Sequence, residues 1–219
     1  MAIILLQIGD FMITEERTSR IDDILTRKQT TLQVMLDDVA SSQNISAIIR
    51  SCDGVGVLNF YYASTENVDA KIHKTITQGT HRWINRKRID YENRVAFLKE
   101  KQAKGFQIVV THLEEKSVSF SKIDYTKPTV LVMGNEKDGI SDEVLTLADE
   151  VIIIPMRGMA QSLNVSVATG LILYEAQRQF DEAGAYDTPQ ISEEKREEIK
   201  KEWIYRDVIR DRSKGKVFY

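Results

Sequence analysis

The chain has 219 residues, 42% hydrophobic and 29% charged, and a net charge of −3. That length supports one substantial core with room for terminal appendages, and the slight negative balance removes any argument for nucleic acid from whole-chain charge, leaving only its distribution to carry one. The single cysteine, Cys52, excludes an internal disulfide and fits a reducing, cytoplasmic compartment, and with three scattered histidines (His73, His81, His112) no zinc-ligand spacing can be written, so no metal is expected.

The apolar opening MAIILLQIGDF is short and lacks a basic leader and a small-residue cleavage site, so it does not read as a signal peptide. Met12 follows it as an alternative start. No run approaches the length of a membrane-spanning helix, and no membrane partner is expected. Residues 14–29 carry Ile21, Ile24, Leu25 and Lys28 at helical spacing and predict a short helix. LQVMLDDV (32–39) predicts a strand. SSQNISAIIRSCDGVG opens on cap residues, sets Ile45, Ile48, Ile49 and Cys52 on one face and stops at Gly54, which predicts a helix. VLNFYY (57–62) is a strand of β-formers.

Residues 64–90 give no clear pattern. Residues 90–104 predict a helix stopped by Gly105, 106–113 a strand and 129–134 another. Ser141 caps a further helix with Glu143 in its first turn, and EVIIIP (150–155) is a strand. Residues 162–180 predict a long helix with Leu163, Val167, Leu171 and Tyr174 as its apolar stripe. A polar, capped helix follows over 192–206.

Strands alternate with helices, and several strands are continuously apolar. The pattern predicts the α/β class, a mostly parallel sheet with helices on both faces. Ligands of such sheets bind beyond the carboxyl ends of the strands, which directs attention to the loops after 106–113, 129–134 and 150–155. Pro189, in AGAYDTPQ, marks the best boundary. The expected organisation is an N-terminal extension and helix over 1–29, an α/β domain over 30–182 and a C-terminal helical basic tail over 183–219.

The stretch VLVMGNEKDGIS (130–141) nearly matches the phosphate-binding loop Gly-x-x-x-x-Gly-Lys-Ser/Thr, but Ile140 stands where that loop needs its Lys. No Gly-x-Gly-x-x-Gly turn follows the first strand, and no Gly-x-Ser-x-Gly elbow is present.

Read together, NISAIIRSCDGVGV (44–57), VLVMGNEKDGIS (130–141) and IIIPMRGMAQSLNVSVATGLILYEAQRQ (152–179) resemble the three motifs of the SPOUT superfamily of methyltransferases, in its RNA ribose 2′-O-methylating branch. The third motif, Pro-Met followed by Gln-Ser-Leu-Asn-Val-Ser, is the most specific. The resemblance spans roughly residues 14–182 and implies a trefoil knot near the C-terminal end of the sheet, S-adenosylmethionine as methyl donor, a homodimer with the active site near the subunit interface, and methylation of the ribose of a D-loop guanosine in tRNA.

The same resemblance implies the site. Arg50 lies one position off its helix's apolar stripe, where sequence alone suggests a surface salt bridge; the motif makes it the residue essential for methyl transfer. A guanidinium keeps its proton in proteins, so the expected role is to stabilise a developing alkoxide and clamp a phosphate. Asn44 at its helix start is either a cap or an organiser of Arg50 and substrate. Glu136 is either a solvated turn acid or the motif acid that supports the site. Ser162 and Asn164 sit at the first turn of the long helix, with Ser162 read as its cap. The resemblance assigns cofactor contacts to Thr111, Met133, Gly134, Ile154, Met159 and Leu163.

Basic residues dominate from Lys71 to Lys104, among them Arg82, Arg86, Lys87, Arg88, Arg94 and Lys101, with Trp83 and Tyr91 between them. Such a patch suits RNA phosphates or is simply a solvated face; Arg86, Lys87 and Arg88 are its expected RNA contacts. Arg17, Arg20, Arg27 and Lys28, and Arg206 to Lys216 in the tail, add terminal basic surface. Two alternatives stay open: an enzyme acting on ribosomal RNA, disfavoured by the short chain before Asn44, and a non-catalytic RNA-binding relative, disfavoured by the intact motif residues.

Overall fold

The structure is a computed structural model that describes residues 5–8, 11–66, 71–114 and 116–213, with side chains described from 14 to 206 within them. In chain order the elements are β1 (Leu5–Ile8), β2 (Phe11–Thr14), α1 (Glu15–Thr26), β3 (Leu32–Asp37), α2 (Ser42–Gly54), β4 (Asn59–Ser64), α3 (Lys74–Thr77), β5 (Asn85–Asp90), α4 (Arg94–Ala103), β6 (Gln107–Thr111), β7 (Val118–Ser119), β8 (Thr129–Gly134), α5 (Asp142–Leu145), β9 (Glu150–Ile153), α6 (Val165–Glu182) and α7 (Glu193–Ser213). They fall into two compact units, Gln29–Gly184 and the pair of segments Met1–Lys28 and Ala185–Tyr219.

In the larger unit seven strands form one sheet in the order β5-β4-β3-β8-β6-β9-β7, every neighbouring pair parallel. Every residue of β3 and of β8 is buried, which is why both are mostly apolar, with Gln33, Asp37 and Thr129 as their buried polar members. Met35, Ile108, Val110, Val130 and Val132 from the sheet pack with Leu98, Ile140 and Val144 in one core cluster. Parallel register sets the carboxyl ends of three strands side by side, with Asp37 opposite both Ala63 and Gly134.

Residues 64–90, unreadable in sequence, contain the short α3 and the edge strand β5. Its sequence NRKRID buries only Ile89, and charged side chains on an exposed edge discourage pairing with another sheet. Two helix expectations are corrected. The helix after Ser141 is a single turn, and the Ser141 hydroxyl donates to Asp37 instead of capping it. The long helix starts at Val165 with Asn164 as its cap, not Ser162. Its buried face is Thr169, Ile172, Leu173, Ala176 and Phe180. The apolar stripe expected to face the core is instead open, with Val167 51%, Leu171 45% and Tyr174 55% exposed.

In the smaller unit β1 and β2 form an antiparallel hairpin. Thr14 caps α1 by accepting from the Arg17 amide, with Glu15 and Glu16 in the first turn where the helix dipole favours them. α1 packs against α7. Lys28, expected on a basic surface, is fully buried with its ammonium 5.9 Å from the Trp203 ring centre, so its stem is packing material and its charge is covered by an aromatic face.

Candidate active site

The glycine loop after β8 explains its own sequence. A Cβ on Gly134 would lie 2.3 Å from the carbonyl carbon and oxygen of Gly139, so no other residue fits without moving backbone. Asn135 and Gly139 exchange amide-to-carbonyl hydrogen bonds of 2.8 and 2.9 Å, with Gly139 at φ 76°. The Asn135 side chain accepts from the amides of Lys137 (2.8 Å) and Asp138 (3.2 Å) and donates to the Asp38 carbonyl at 2.7 Å. The amides that would cradle a phosphate are therefore already bonded within the loop. Ile140, in the place of the nucleotide-binding Lys, is 4% exposed and anchors the loop in the core.

The loop turns Glu136 toward the start of α2. Its carboxylate accepts from the Asn44 amide group at 2.8 Å and from the backbone amides of Ala40 (3.2 Å) and Ser41 (3.3 Å). Partial burial pushes this carboxyl upward, but the bonds from Asn44 and from the amides of Glu136, Ala40 and Ser41 outweigh it and hold it below its ordinary value. A carboxylate only accepts. Asn44 must present its NH2 to Glu136, leaving its carbonyl oxygen to accept from the Asn164 side chain at 3.1 Å. The Asn164 oxygen in turn caps α6 by accepting from the Ser166 amide at 2.8 Å. Asn44 is not a cap: Ser41 caps α2 and accepts from the Asn44 amide. Three residues from three motifs thus form one directed chain.

Beside this chain, beyond the ends of β6, β8 and β9, lies a cavity of about 610 Å³. Thr111, Met133, Gly134, Ile154 and Leu163 line it, and so do Glu136, Ser162 and Asn164. Met159 does not; its side chain is fully exposed. Arg50 is also absent from the lining. It is exposed on α2, donating to the Ile76 carbonyl at 3.3 Å. α2 packs against α6, where Gly54 faces the Tyr174 hydroxyl and Gly170 faces the Ser51 hydroxyl.

The basic segment is divided. Arg94 is buried, its guanidinium 3.3 Å from Asp37 and 2.9 Å from Glu143, donating to the Tyr91 carbonyl and stacked 3.7 Å from the Tyr91 ring centre. Asp37 also accepts from the amide and hydroxyl of Ser141, so Arg94 braces the far end of the glycine loop against β3. Sequence reading missed both roles; a basic residue in a basic run gives no sign that it points inward. Lys101 is buried among Tyr61, Phe97 and Phe106, donating to Gln33 and the Tyr61 hydroxyl, and burial lowers its pKa. Lys104 pairs with Glu100. Arg86, Lys87 and Arg88 are on β5, where strand alternation sets Arg86 and Arg88 on one face and Lys87 on the other; Arg88 also lies 3.3 Å from Asp90.

The chain matches the model of the SpoU rRNA Methylase family over residues 31–174. It is 51% identical, over 94% of its length and 96% of the relative's, to a tRNA (guanosine(18)-2'-O)-methyltransferase of Aquifex aeolicus. A crystal structure of an A. aeolicus TrmH/SpoU tRNA modifying enzyme superposes with a TM-score of 0.85 at 52% identity, covering 89% of this chain and 98% of that one. An AdoMet-bound rRNA methyltransferase from Sinorhizobium meliloti gives a TM-score of 0.61 at 36% identity, covering 70% of this chain and 59% of that one. The matched segment runs from the start of β3 into α6 and contains the whole Asn44, Glu136 and Asn164 chain, so this protein belongs to the SpoU rRNA Methylase family.

Proposed function

We propose that this chain transfers a methyl group from S-adenosylmethionine to the ribose 2′-hydroxyl of a tRNA guanosine, position 18 of the D-loop, acting as a cytoplasmic homodimer. The observation that carries the reading is the Asn164, Asn44 and Glu136 chain at the wall of the strand-end cavity, in a protein similar along almost its whole length to an enzyme named for that reaction. That near-complete match favours tRNA over ribosomal RNA.

The cavity suits the cofactor. Strand ends of β8 and β9 give it apolar walls, and the bare Gly134 lets backbone approach backbone where a side chain would intrude. Bound there, the cofactor supplies a methyl on an electrophilic sulfonium, so the chain has to hold and activate the hydroxyl. Glu136 fixes Asn44, which leaves Asn44 and Asn164 as oriented amides toward the ribose. Arg50, permanently charged, clamps a substrate phosphate and stabilises charge developing on the 2′-oxygen as its proton passes to water and the sulfonium leaves as the neutral thioether.

Two observations support the homodimer. Arg50 lies outside the cavity of its own chain, and the open apolar stripe Val167, Leu171 and Tyr174 lies on the helix that packs against Arg50's helix. A second copy covering that stripe brings each Arg50 to the other copy's cavity. Further fold features of the family, helices on both faces of the sheet and a trefoil knot toward its C-terminal end, go with this reading; the complete burial of β3 and β8 suits a sheet covered twice. Arg86, Lys87 and Arg88 on the edge strand contribute phosphate contacts, so tRNA affinity falls with salt.

The test is methylation of a tRNA transcript with methyl-labelled S-adenosylmethionine, followed by digestion to nucleosides. The expected product is 2′-O-methylguanosine from position 18. A label on a base nitrogen, or transfer confined to ribosomal RNA, would contradict the assignment.

A further inference from the structure

We propose that a second, smaller cavity, at the carboxyl ends of β3 and β4, reads the base of the nucleoside being methylated and is built for guanine. The proposal rests on the function above and adds to it the residues that choose the base. The cavity holds about 240 Å³ and shares Asn135 with the larger one. Between the two runs the turn after β3, whose amides at Ala40 and Ser41 are held by Glu136. A ribose presented to Asn44 and Glu136 from this side keeps its 2′-oxygen toward the larger cavity and its base, one glycosidic bond away, in the smaller.

The lining suits guanine in polarity and gives it an apolar wall. Ile45 and Tyr62, both largely buried, give apolar wall for a planar ring. Asp38 and Glu66 offer acceptors and Lys71 offers a donor. Guanine carries donors at N1 and at its 2-amino group and acceptors at O6 and N7. Adenine fails on both edges: its N1 accepts where the carboxylates accept, and its 6-amino group donates where Lys71 donates. A site whose polar groups are left unpaired by the wrong ligand rejects it strongly.

Asp38 is the centre of this site. It is one of two described non-glycine residues at positive φ, 58°, a conformation that costs energy and persists only when its surroundings impose it. Its amide donates to the Ala63 carbonyl at 3.0 Å, its carbonyl accepts from Asn135, and its Oδ1 accepts from the Thr65 amide at 2.9 Å and the Thr65 hydroxyl at 3.1 Å. Among the described residues, Oδ2 takes only the longer contact of 3.2 Å to the same hydroxyl. A carboxylate has about four lone-pair sites, so Oδ2 keeps accepting capacity for the N1 and 2-amino donors.

The experiment compares tRNA transcripts carrying guanosine, inosine (no 2-amino group) or adenosine at the target position, with the wild-type protein, Asp38→Asn and Lys71→Ala, reading kcat/KM and cofactor Kd. Asn tolerates positive φ and keeps an acceptor for Thr65, so Asp38→Asn alters chiefly the charge and Oδ2. Wild type should favour guanosine over inosine by roughly tenfold, the scale of one hydrogen bond to a charged group, and adenosine should be the poorest substrate. Asp38→Asn should lower guanosine to the level of inosine and leave cofactor Kd unchanged. Lys71→Ala should lower guanosine and inosine alike and leave adenosine where it was. Wild-type ratios in both variants overturn the base subsite while the methyltransferase reading stands. A parallel loss on all three substrates together with weakened cofactor binding in Asp38→Asn assigns Asp38 to loop geometry alone and also overturns it. If Asp38→Asn does not fold, the exposed Lys71 decides the question by itself. No ribose methylation by the wild type on any transcript sinks the functional reading and this subsite with it.

Discussion

The Asn44 amide group donates to the Glu136 carboxylate at 2.8 Å across 92 residues of chain. This bond joins the first turn of α2 to the glycine loop after β8, two segments that parallel strand register brings to the same end of the sheet. It also orients everything after it, because Asn44 can accept from Asn164 only while Glu136 takes its NH2.

A pH dependence follows. The Glu136 carboxyl titrates below its ordinary 4.5 in the folded protein. Its bonds therefore contribute stability that is fully present above the unfolded-state value, begins to be lost as pH falls below it, and is gone below the folded-state value. Glu136→Gln replaces one acceptor with a donor that faces the donors of Asn44, Ala40 and Ser41. Denaturation midpoints should be lower for the variant at neutral pH, and the gap should close as acid protonates the wild type. A gap that stays constant down to strongly acidic pH would show that the carboxylate charge is not what holds the loop.

Gly134→Ala tests the loop itself. The added Cβ meets backbone at 2.3 Å, and backbone cannot rotate away as a side chain can. The cost should be about 1–3 kcal/mol, the range for overpacking. Because Gly134 lines the larger cavity, cofactor binding by calorimetry should weaken with it. Unchanged stability and cofactor affinity together would mean that the loop relaxes freely.

Arg94→Ala separates an interior role from an RNA contact. Removing the guanidinium leaves Asp37 buried with only Ser141 to bond it, and breaking a buried pair from one side costs about 3–5 kcal/mol. Chemical denaturation should show a loss near the lower end, since Ser141 still compensates Asp37. The slope of tRNA affinity against salt should not change. A flattened slope with unchanged stability would return Arg94 to the RNA surface.

Buried elements were legible; an edge strand and an exposed apolar helix face were not. β3 and β8 read as strands because all of their residues are buried, so most of them are apolar. β5 did not, because an exposed edge favours charge and erases alternation. On α6 the stripe Val167, Leu171 and Tyr174 has the right period, but periodicity marks an apolar face without saying whether its own chain covers it. The face that is buried there includes Thr169 and Ala176, whose hydropathy is too weak to stand out. The meeting of Asn44, Glu136 and Asn164 has no local signal at all; only the motif resemblance put them in one site. Asp38 had none either, since a strained φ is invisible in sequence.

The last prediction concerns Arg50. Arg50→Ala should leave cofactor binding intact, because the contacts proposed for Arg50 are to a substrate phosphate and the 2′-oxygen and not to the cofactor, and should lower methyl transfer at least roughly a hundredfold, the scale of losing one donor aimed at developing charge. Arg50→Lys should restore little, since a point charge does not replace a planar fork. Mixing decides which cavity Arg50 serves. In a dimer of one Arg50→Ala subunit and one Glu136→Gln subunit, a shared arrangement joins an intact cavity on the first to an intact Arg50 on the second. One of the two sites then works, and the mixture should recover about half of wild-type turnover per dimer that carries both variants. If each Arg50 serves its own chain, every site in that dimer carries one of the two lesions and activity stays at the level of the separate variants. Recovery thus reads out directly whether the open stripe on α6 is where a second copy sits, since only a copy docked beside α2 can exchange its arginine.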